Sequence, residues 1–208
     1  MVRSNPLTTF AQIGDEWETV LSDSSVNTVF QTRQWQEVWW ETFGNDRTMV
    51  GFYLTEAEGV TAIAPLTRSG DTLSLVGNQD TVDYNDFLVK PGHEAVLYDA
   101  VLECMDELQC HTLTLASLTE ASPTLEYLPD LARQRGFSVE VEREDVASGI
   151  VLPETWDDYL SVLSKKDRHE LRRKLRRLEA LPDWRWYSLT DQEEVSERLG
   201  DFIGLMRL

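Results

Sequence analysis

The chain has 208 residues, with 37 acidic against 19 basic side chains and a formal net charge of -18 at neutral pH. That length fits one large domain, or one domain and part of another, and buries enough surface to fold without a disulfide or metal. Hydrophobic residues make up 41% of the chain, which argues against disorder, and the charge opposes generic DNA binding because phosphate would be repelled.

In chain order, residues 15–21 predict a short helix. Residues 33–43 predict a second, with Thr32 as its N-cap, Trp35, Val38, Trp39 and Phe43 at helical spacing, and Gly44 as its stop. The pattern then changes to β-branched and aromatic strands at 48–55 and 60–67, joined by a turn at Glu58-Gly59. Strands at 72–76 and 86–89 follow, separated by a polar stretch that opens with Gly77-Asn78-Gln79-Asp80. A helix is expected over 94–108, a strand over 111–115, a helix over 123–135 closed by Gly136, and strands over 137–141 and 147–152. This alternation predicts a mixed α/β fold, a sheet flanked by helices.

Pro153 punctuates the chain and places a boundary between residues 1–152 and 153–208. Thr155 and Asp158 read as a capping pair for one long helix running to Leu181, which Pro182-Asp183 stops. A strand over 184–189 and an amphipathic helix from Asp191 complete the order. A chain ending inside such a helix is expected to be cut short or completed by a partner, and self-association through 191–208 is one way to complete it.

Cys104 and Cys110 lie six apart on an expected helix, on different faces, so buried free thiols are expected and not a disulfide. The N-terminus has no apolar signal core and no uncharged stretch is long enough to cross a bilayer, which gives a cytoplasmic expectation. Lysine occurs only at Lys90, Lys165, Lys166 and Lys174. An acidic, lysine-poor surface suits a salt-rich cytoplasm, and a GC-rich genome gives the same arginine bias.

Residues 165–177 concentrate the positive charge: eight basic residues with two acids, +6 against -24 for the rest of the chain. Leu160, Leu163, Leu171, Leu175 and Leu178 form an apolar stripe, and Arg168, Arg172 and Arg176 an i,i+4 ladder beside it. Four readings compete: a solvated helix paired with the protein's own acids, recognition of a phosphorylated small molecule or carrier, RNA binding, and contact with an anionic membrane. The expected anion-binding set is Arg168, Arg172, Arg173 and Arg176, facing a cleft between the first lobe and the Trp184 strand. The acids at 15–16, 154 and 157–158 are the internal alternatives.

Several strings resemble the cellulose-biosynthesis (CelD-type) branch of the GNAT acyltransferases. Phe30-Gln31-Thr32 with Trp35, Trp39, Trp40 and Phe43-Gly44 resembles its opening, and Ala64-Pro65-Leu66 its apolar-Pro-Leu signature. Gly77-Asn78 followed by Asp83-Tyr84-Asn85-Asp86 resembles its Gly…Asp-Tyr-x-Asp segment. Residues 152–168, from Leu-Pro-Glu-Thr-Trp to Ser-Lys-Lys-x-Arg, resemble the join between its two halves. The resemblance covers essentially the whole chain. It implies a GNAT-like mixed sheet over 1–152, then a long basic helix and the start of a second, FemAB-like tandem lobe over 153–208, the lobe expected to hold the donor. It also implies acyl-CoA (acetyl-CoA) as donor, no metal, and a small-molecule amine acceptor, with an amino sugar or other envelope precursor as the family-level guess. The competing expectation is a GNAT-like module without catalysis that recognises an anionic ligand or partner protein.

Acyl transfer to an amine needs a base for the amine proton and an acid for the leaving thiol, and Asp83, Tyr84 and Asp86 supply such types. A turn in which Asp and Asn bond their own backbone is the alternative. The family's pyrophosphate loop, Gln/Arg-x-x-Gly-x-Gly/Ala, has a near match only at residues 133–138, where Gly136 reads as a helix C-cap, so this chain alone is expected to lack the donor site. His93, His111 and His169 lack partners at metal-ligand spacing, and Ser117 and Ser122 lie in no nucleophile elbow. Trp35, Trp39 and Trp40 read as packing residues.

Overall fold

In the computed structural model, which describes residues 2–207, contacts divide the chain into two units, Met1–Asp145 and Val146–Leu208. The first is a mixed α/β body with two four-stranded sheets flanked by helices. It begins with β1 (Arg3–Pro6), α1 (Gly14–Asp23) and α2 (Arg33–Phe43). Thr32 caps α2 as expected, its hydroxyl accepting from the Trp35 amide at 3.3 Å, and the amide of Gly44 closes the helix on the Trp40 carbonyl.

Two extended arms follow, and each is broken once. The first is β2 (Thr48–Met49) and β3 (Phe52–Glu56); the second is β4 (Gly59–Ala64) and β5 (Leu66–Ser69). Pro65 has no N–H to give the ladder, and Gly51 opposite has its Cβ position only 2.8 Å from the Ala64 carbonyl oxygen. The arms therefore pass from one sheet to the other at this point. The sheets are ordered β1-β3-β4-β7 and β2-β5-β6-β8.

The next strand is interrupted as well. β6 (Thr72–Leu75) pairs with β5, Leu66 opposite Leu75, and β7 (Leu88–Val89) pairs with β4, Ala62 opposite Val89. Both pieces run antiparallel along the same arm, and residues 76–87 leave the ladder between them. The chain then crosses through α3 (Glu94–Glu107) to β8 (Thr112–Thr114), which lies parallel to β6, and continues into α4 (Pro123–Gln134). Gly136, at φ 89°, ends α4.

Strand alternation sends Phe52, Leu54, Ala62, Ala64, Leu73 and Val89 to one face, where they pack with Leu97, Val101 and Leu102 of α3 and Leu128 of α4. Ile63, Val60 and Leu88 face the other way, onto Trp17, Val20 and Leu21 of α1 and Trp39 of α2.

Three expected strands are absent. Residues 137–141, 147–152 and 184–189 carry no ladder. Phe137 and Val139 do turn inward against the α3–α4 core, so the period-two signal is real, but a strand also needs a partner edge.

The second unit contains α5 (Trp156–Val162), α6 (Lys165–Glu179) and α7 (Gln192–Met206). The single long helix expected over 155–181 is two helices. Leu163 and Ser164 are extended, and Ser164 starts α6 by accepting from the Asp167 amide at 3.2 Å and donating to its carboxylate at 2.7 Å. The same Ser/Thr-x-x-Asp arrangement starts α5 at Thr155 and Asp158. Among the described residues of this unit, Leu160 alone is buried among the large apolar side chains.

Candidate functional site

Residues 76–87, which interrupt the third strand, carry the Asp-Tyr-Asn-Asp string, and the structure separates its four residues into two pairs. Asp83 and Tyr84 are on the surface, Tyr84 at 36% exposure; Asn85 and Asp86 are buried. Turn geometry explains the start of the segment. Asn78 accepts from the Asp80 amide at 3.1 Å and the Thr81 hydroxyl at 2.7 Å. Gly77 sits at φ 117°, with Val82 and Asn85 against its Cβ position.

The buried half is held from three directions. Asn85 donates from its amide side chain to the Val76 carbonyl at 3.1 Å and from its backbone to the Ser117 carbonyl at 3.0 Å. Gln31, fully buried, donates to the Asp86 carbonyl at 3.0 Å, and its own carbonyl accepts from the Trp17 indole at 2.9 Å. Trp39 donates to the Thr81 hydroxyl at 2.8 Å.

Asp86 itself is 0% exposed. Its Oδ1 accepts from the Phe87 amide at 2.8 Å and from the Thr124 hydroxyl, and its Oδ2 accepts from the Ser122 hydroxyl at 2.5 Å. Ser122 is the N-cap of α4, accepting from the Thr124 amide at 3.0 Å. Because the Thr124 proton is given to Asp86, the Tyr98 hydroxyl, 3.0 Å away, donates to Thr124. The result is a chain from Tyr98 through Thr124 to Asp86. Burial pushes the Asp86 carboxyl above the ordinary carboxylate range, opposed by the hydrogen bonds from Ser122, Thr124 and Phe87. Burial likewise pushes the Tyr98 hydroxyl up, against the hydrogen bond with Thr124 and with the help of the Asp86 charge.

Asp86 was expected to be an acid or base and is placed where no solute reaches it; it ties the 76–87 segment to the start of α4. Asp83 and Tyr84 remain accessible. The Tyr84 ring centroid lies 6.4 Å from that of Phe30, which Trp35 meets edge-on at 5.0 Å. Sequence reasoning missed Gln31, Tyr98, Ser122 and Thr124. Ser122-Pro123 carried a legible N-cap signal, but nothing local announced that the cap would bind a carboxylate 36 residues earlier.

Two places in the first unit could be asked to take a pyrophosphate. The strand-to-helix junction is Lys90-Pro91-Gly92-His93. Lys90 is 3.6 Å from Asp23, His93 is 3.8 Å from Glu56, and Glu94 puts a negative charge in the first turn of α3. The near match at 133–138 lies at the end of α4, where Arg135 is engaged by Asp99, with Asp106 at 3.9 Å. At both places the side chains that would meet a phosphate, Lys90, His93 and Arg135, face carboxylates instead.

Helix α6 differs. Of its cations, Arg173 is held by Glu170 through Nε at 3.0 Å and Nη2 at 2.7 Å, and Lys174 is 3.8 Å from the same carboxylate. The hydrogen bond from Arg173 and the surrounding cations hold the Glu170 carboxyl below its usual range. Asp167 is used in the cap. Among the described residues of the second unit, Lys165, Lys166, Arg168, Arg172, Arg176 and Arg177 have no carboxylate partner, and the acids at 154 and 157–158 pair with none of them. An open hollow of ≈ 690 Å³ lies against Lys165, His169, Arg173 and Arg176. The Trp184 strand expected to wall a cleft beside these arginines does not form. The structure thus gathers Asp83, Tyr84 and Asp86 on one segment and the four arginines on one helix, in different units.

Among the described residues no group of three His, Cys, Asp or Glu is placed to hold a metal ion, and no helix is long and apolar enough to cross a membrane. No protein-family model matches the chain, and no curated protein matches it significantly. Among solved structures, the chain is similar to the ribosomal-protein-S18-alanine N-acetyltransferase from Escherichia coli, at 14% identity and a TM-score of 0.45, over 68% of this chain and 80% of that one.

Proposed function

We propose that this chain works in N-acyl transfer of the GNAT type, moving an acyl group from acyl-CoA to an amine. The observation that carries the reading is the strand path of the first unit. Two helices precede antiparallel arms, the third strand is interrupted, and a helical crossover then leads to a parallel strand and a further helix. That order, together with the strings at 30–44, 64–66 and 77–86, is what the resemblance to the CelD-type branch leads one to expect. Fold alone does not assign chemistry, so the reading also rests on the site.

A bound acyl-CoA supplies an activated acyl thioester. The chain's own task is to place the amine and take its proton. Asp83 and Tyr84 are the accessible groups of the 76–87 segment, and they are assigned as base and acid; Asp86 is a positioning residue beneath them. An amino sugar or other envelope precursor as acceptor, acetyl as the acyl group and a cytoplasmic setting belong to the same proposal. The test is acceptor-dependent release of the CoA thiol from acetyl-CoA, measured over a panel of amines that includes amino sugars. Release with at least one amine, lost in Asp83→Asn, supports the reading; no release with any amine overturns it.

A second reading, a GNAT-like module that binds without catalysis, is favoured by one observation. The strand-to-helix junction at 90–93 has its cations matched by carboxylates, with Glu94 beside it. Under that reading α7, whose Val195, Leu199, Phe202 and Ile203 are all exposed, serves self-association.

A further inference from the structure

We infer that α6 is a phosphate-binding surface, on which Arg168, Arg172 and Arg176 take the phosphates of a CoA-type ligand. The inference rests on the acyl-transfer reading for the identity of the ligand, and on the helix itself for its chemistry.

The argument starts from charge. Residues 165–177 carry +6, and Glu179 brings the whole of α6 to +5, inside a chain of -18 in which acids are in large excess. Within its own unit this charge is not neutralised. Two of the helix's three carboxylates are used locally, Asp167 in the cap and Glu170 on Arg173 and Lys174, and the third, Glu179, follows the basic run. Arg168, Arg172 and Arg176 are left without a carboxylate among the described residues of their own unit. Keeping like charges one turn apart disfavours the helix slightly at each pair, so the row is a feature that costs stability where it stands unpaired.

Geometry narrows the ligand. The three arginines recur every four residues, so their Cα atoms rise about 6 Å per step along one side of the helix. A single phosphate engages one or two planar guanidinium forks; a row of three suits a ligand with anionic groups at separated points. CoA has this pattern, a diphosphate and a ribose 3′-phosphate set apart from it. Within the row Arg176 gives one N–H to the Arg172 carbonyl at 3.4 Å, which leaves its remaining donors free. Arg176 also borders the ≈ 690 Å³ hollow, together with Lys165, Lys166, His169, Arg173 and the carboxylates of Asp167 and Glu170, while Arg168 and Arg172 are not among its lining residues. At the two junctions of the first unit considered for a pyrophosphate, Lys90, His93 and Arg135 all face carboxylates.

Calorimetric titration of the full chain tests this, with acetyl-CoA, 3′-dephospho-CoA and tripolyphosphate as the three ligands. The parent should bind acetyl-CoA, bind the dephospho form severalfold more weakly, and lose affinity for acetyl-CoA by about tenfold or more in an Arg172→Ala/Arg176→Ala variant. Alanine is the better helix former, so the variant keeps α6, and its far-ultraviolet circular dichroism should match the parent's. Failure of the parent to bind acetyl-CoA overturns the inference, as does parental affinity in the double variant. Tripolyphosphate binding as tight as acetyl-CoA binding overturns the assignment to CoA. The two readings fail separately. Arginine-dependent binding without thiol release for any amine removes acyl transfer and leaves the phosphate surface; thiol release with an unchanged KM for acetyl-CoA in the double variant does the reverse.

Discussion

Replacing Asp86 by alanine should be among the most damaging single changes in the first unit. The carboxylate accepts from the Phe87 amide and from the Ser122 and Thr124 hydroxyls, all in a site without solvent. Leaving a buried donor unpaired costs about 1–3 kcal/mol, and the two hydroxyls recover part of this by rotating. A net loss of about 3–5 kcal/mol is expected, a large fraction of the ~5–15 kcal/mol that holds a typical domain together. At roughly 2–4 °C per kcal/mol for a domain of this size, the melting temperature falls by about 6–20 °C. The assay is thermal and urea unfolding followed by tryptophan fluorescence, which reports the first unit through the buried Trp17 and Trp39. Asp86→Asn adds a pH arm. Burial raises the folded carboxyl above its unfolded value, so its contribution is present in full at acid pH and declines as pH rises through the raised value. The asparagine variant should lack that decline. A loss below ~1 kcal/mol in Asp86→Ala, or an unchanged pH profile in Asp86→Asn, would refute the reasoning.

Gly77→Ala should destabilise the first unit by more than the ~1 kcal/mol of an ordinary glycine replacement, because φ is 117° and a Cβ would lie 2.9 Å from Val82; urea midpoints decide it, and a neutral result would show that the turn relaxes. Burial, with the neighbouring Glu107 charge, pushes the Cys104 thiol up to about 11, and Cys110 is buried. Neither should react with a thiol reagent at pH 7.5 in the folded protein, and both should in urea; rapid labelling of native protein at neutral pH would contradict this.

The elements read correctly from sequence are those announced by local chemistry. Thr32, Thr155 and Asp191 cap helices because a side-chain oxygen answers an amide two or three residues on, and such a bond needs no distant partner. The same rule was legible at Ser164 and was overridden by the leucine stripe running through it, which read as one helix. The three strands that fail, over 137–141, 147–152 and 184–189, had adequate composition. What they lack is an edge to pair with, and pairing is decided by the rest of the fold. The breaks at Gly51 and Pro65 follow the same logic: Pro65 marks a weak point in its own arm, and its opposition to Gly51 is where both arms change sheet.

The site shows this division within four residues. That Asp83-Tyr84-Asn85-Asp86 would form a polar connection was legible, since turn formers cluster there. Which carboxylate would face solvent was not. Two aspartates three apart are chemically equivalent in sequence, and they are separated only by what meets them in space. Asp86 is met by the N-cap of α4, by Thr124, which itself accepts from Tyr98 of α3, and, through its carbonyl, by Gln31 ahead of α2. Asp83 is met by none of these. Side chains from separate elements, Gln31 ahead of α2 and Ser122 and Thr124 at the start of α4, therefore converge on one buried residue of the segment that interrupts the third strand. The excursion costs several strand hydrogen bonds and gains a fixed platform beneath Asp83 and Tyr84, which is why this segment, and not a strand end, is where an acceptor is proposed to sit.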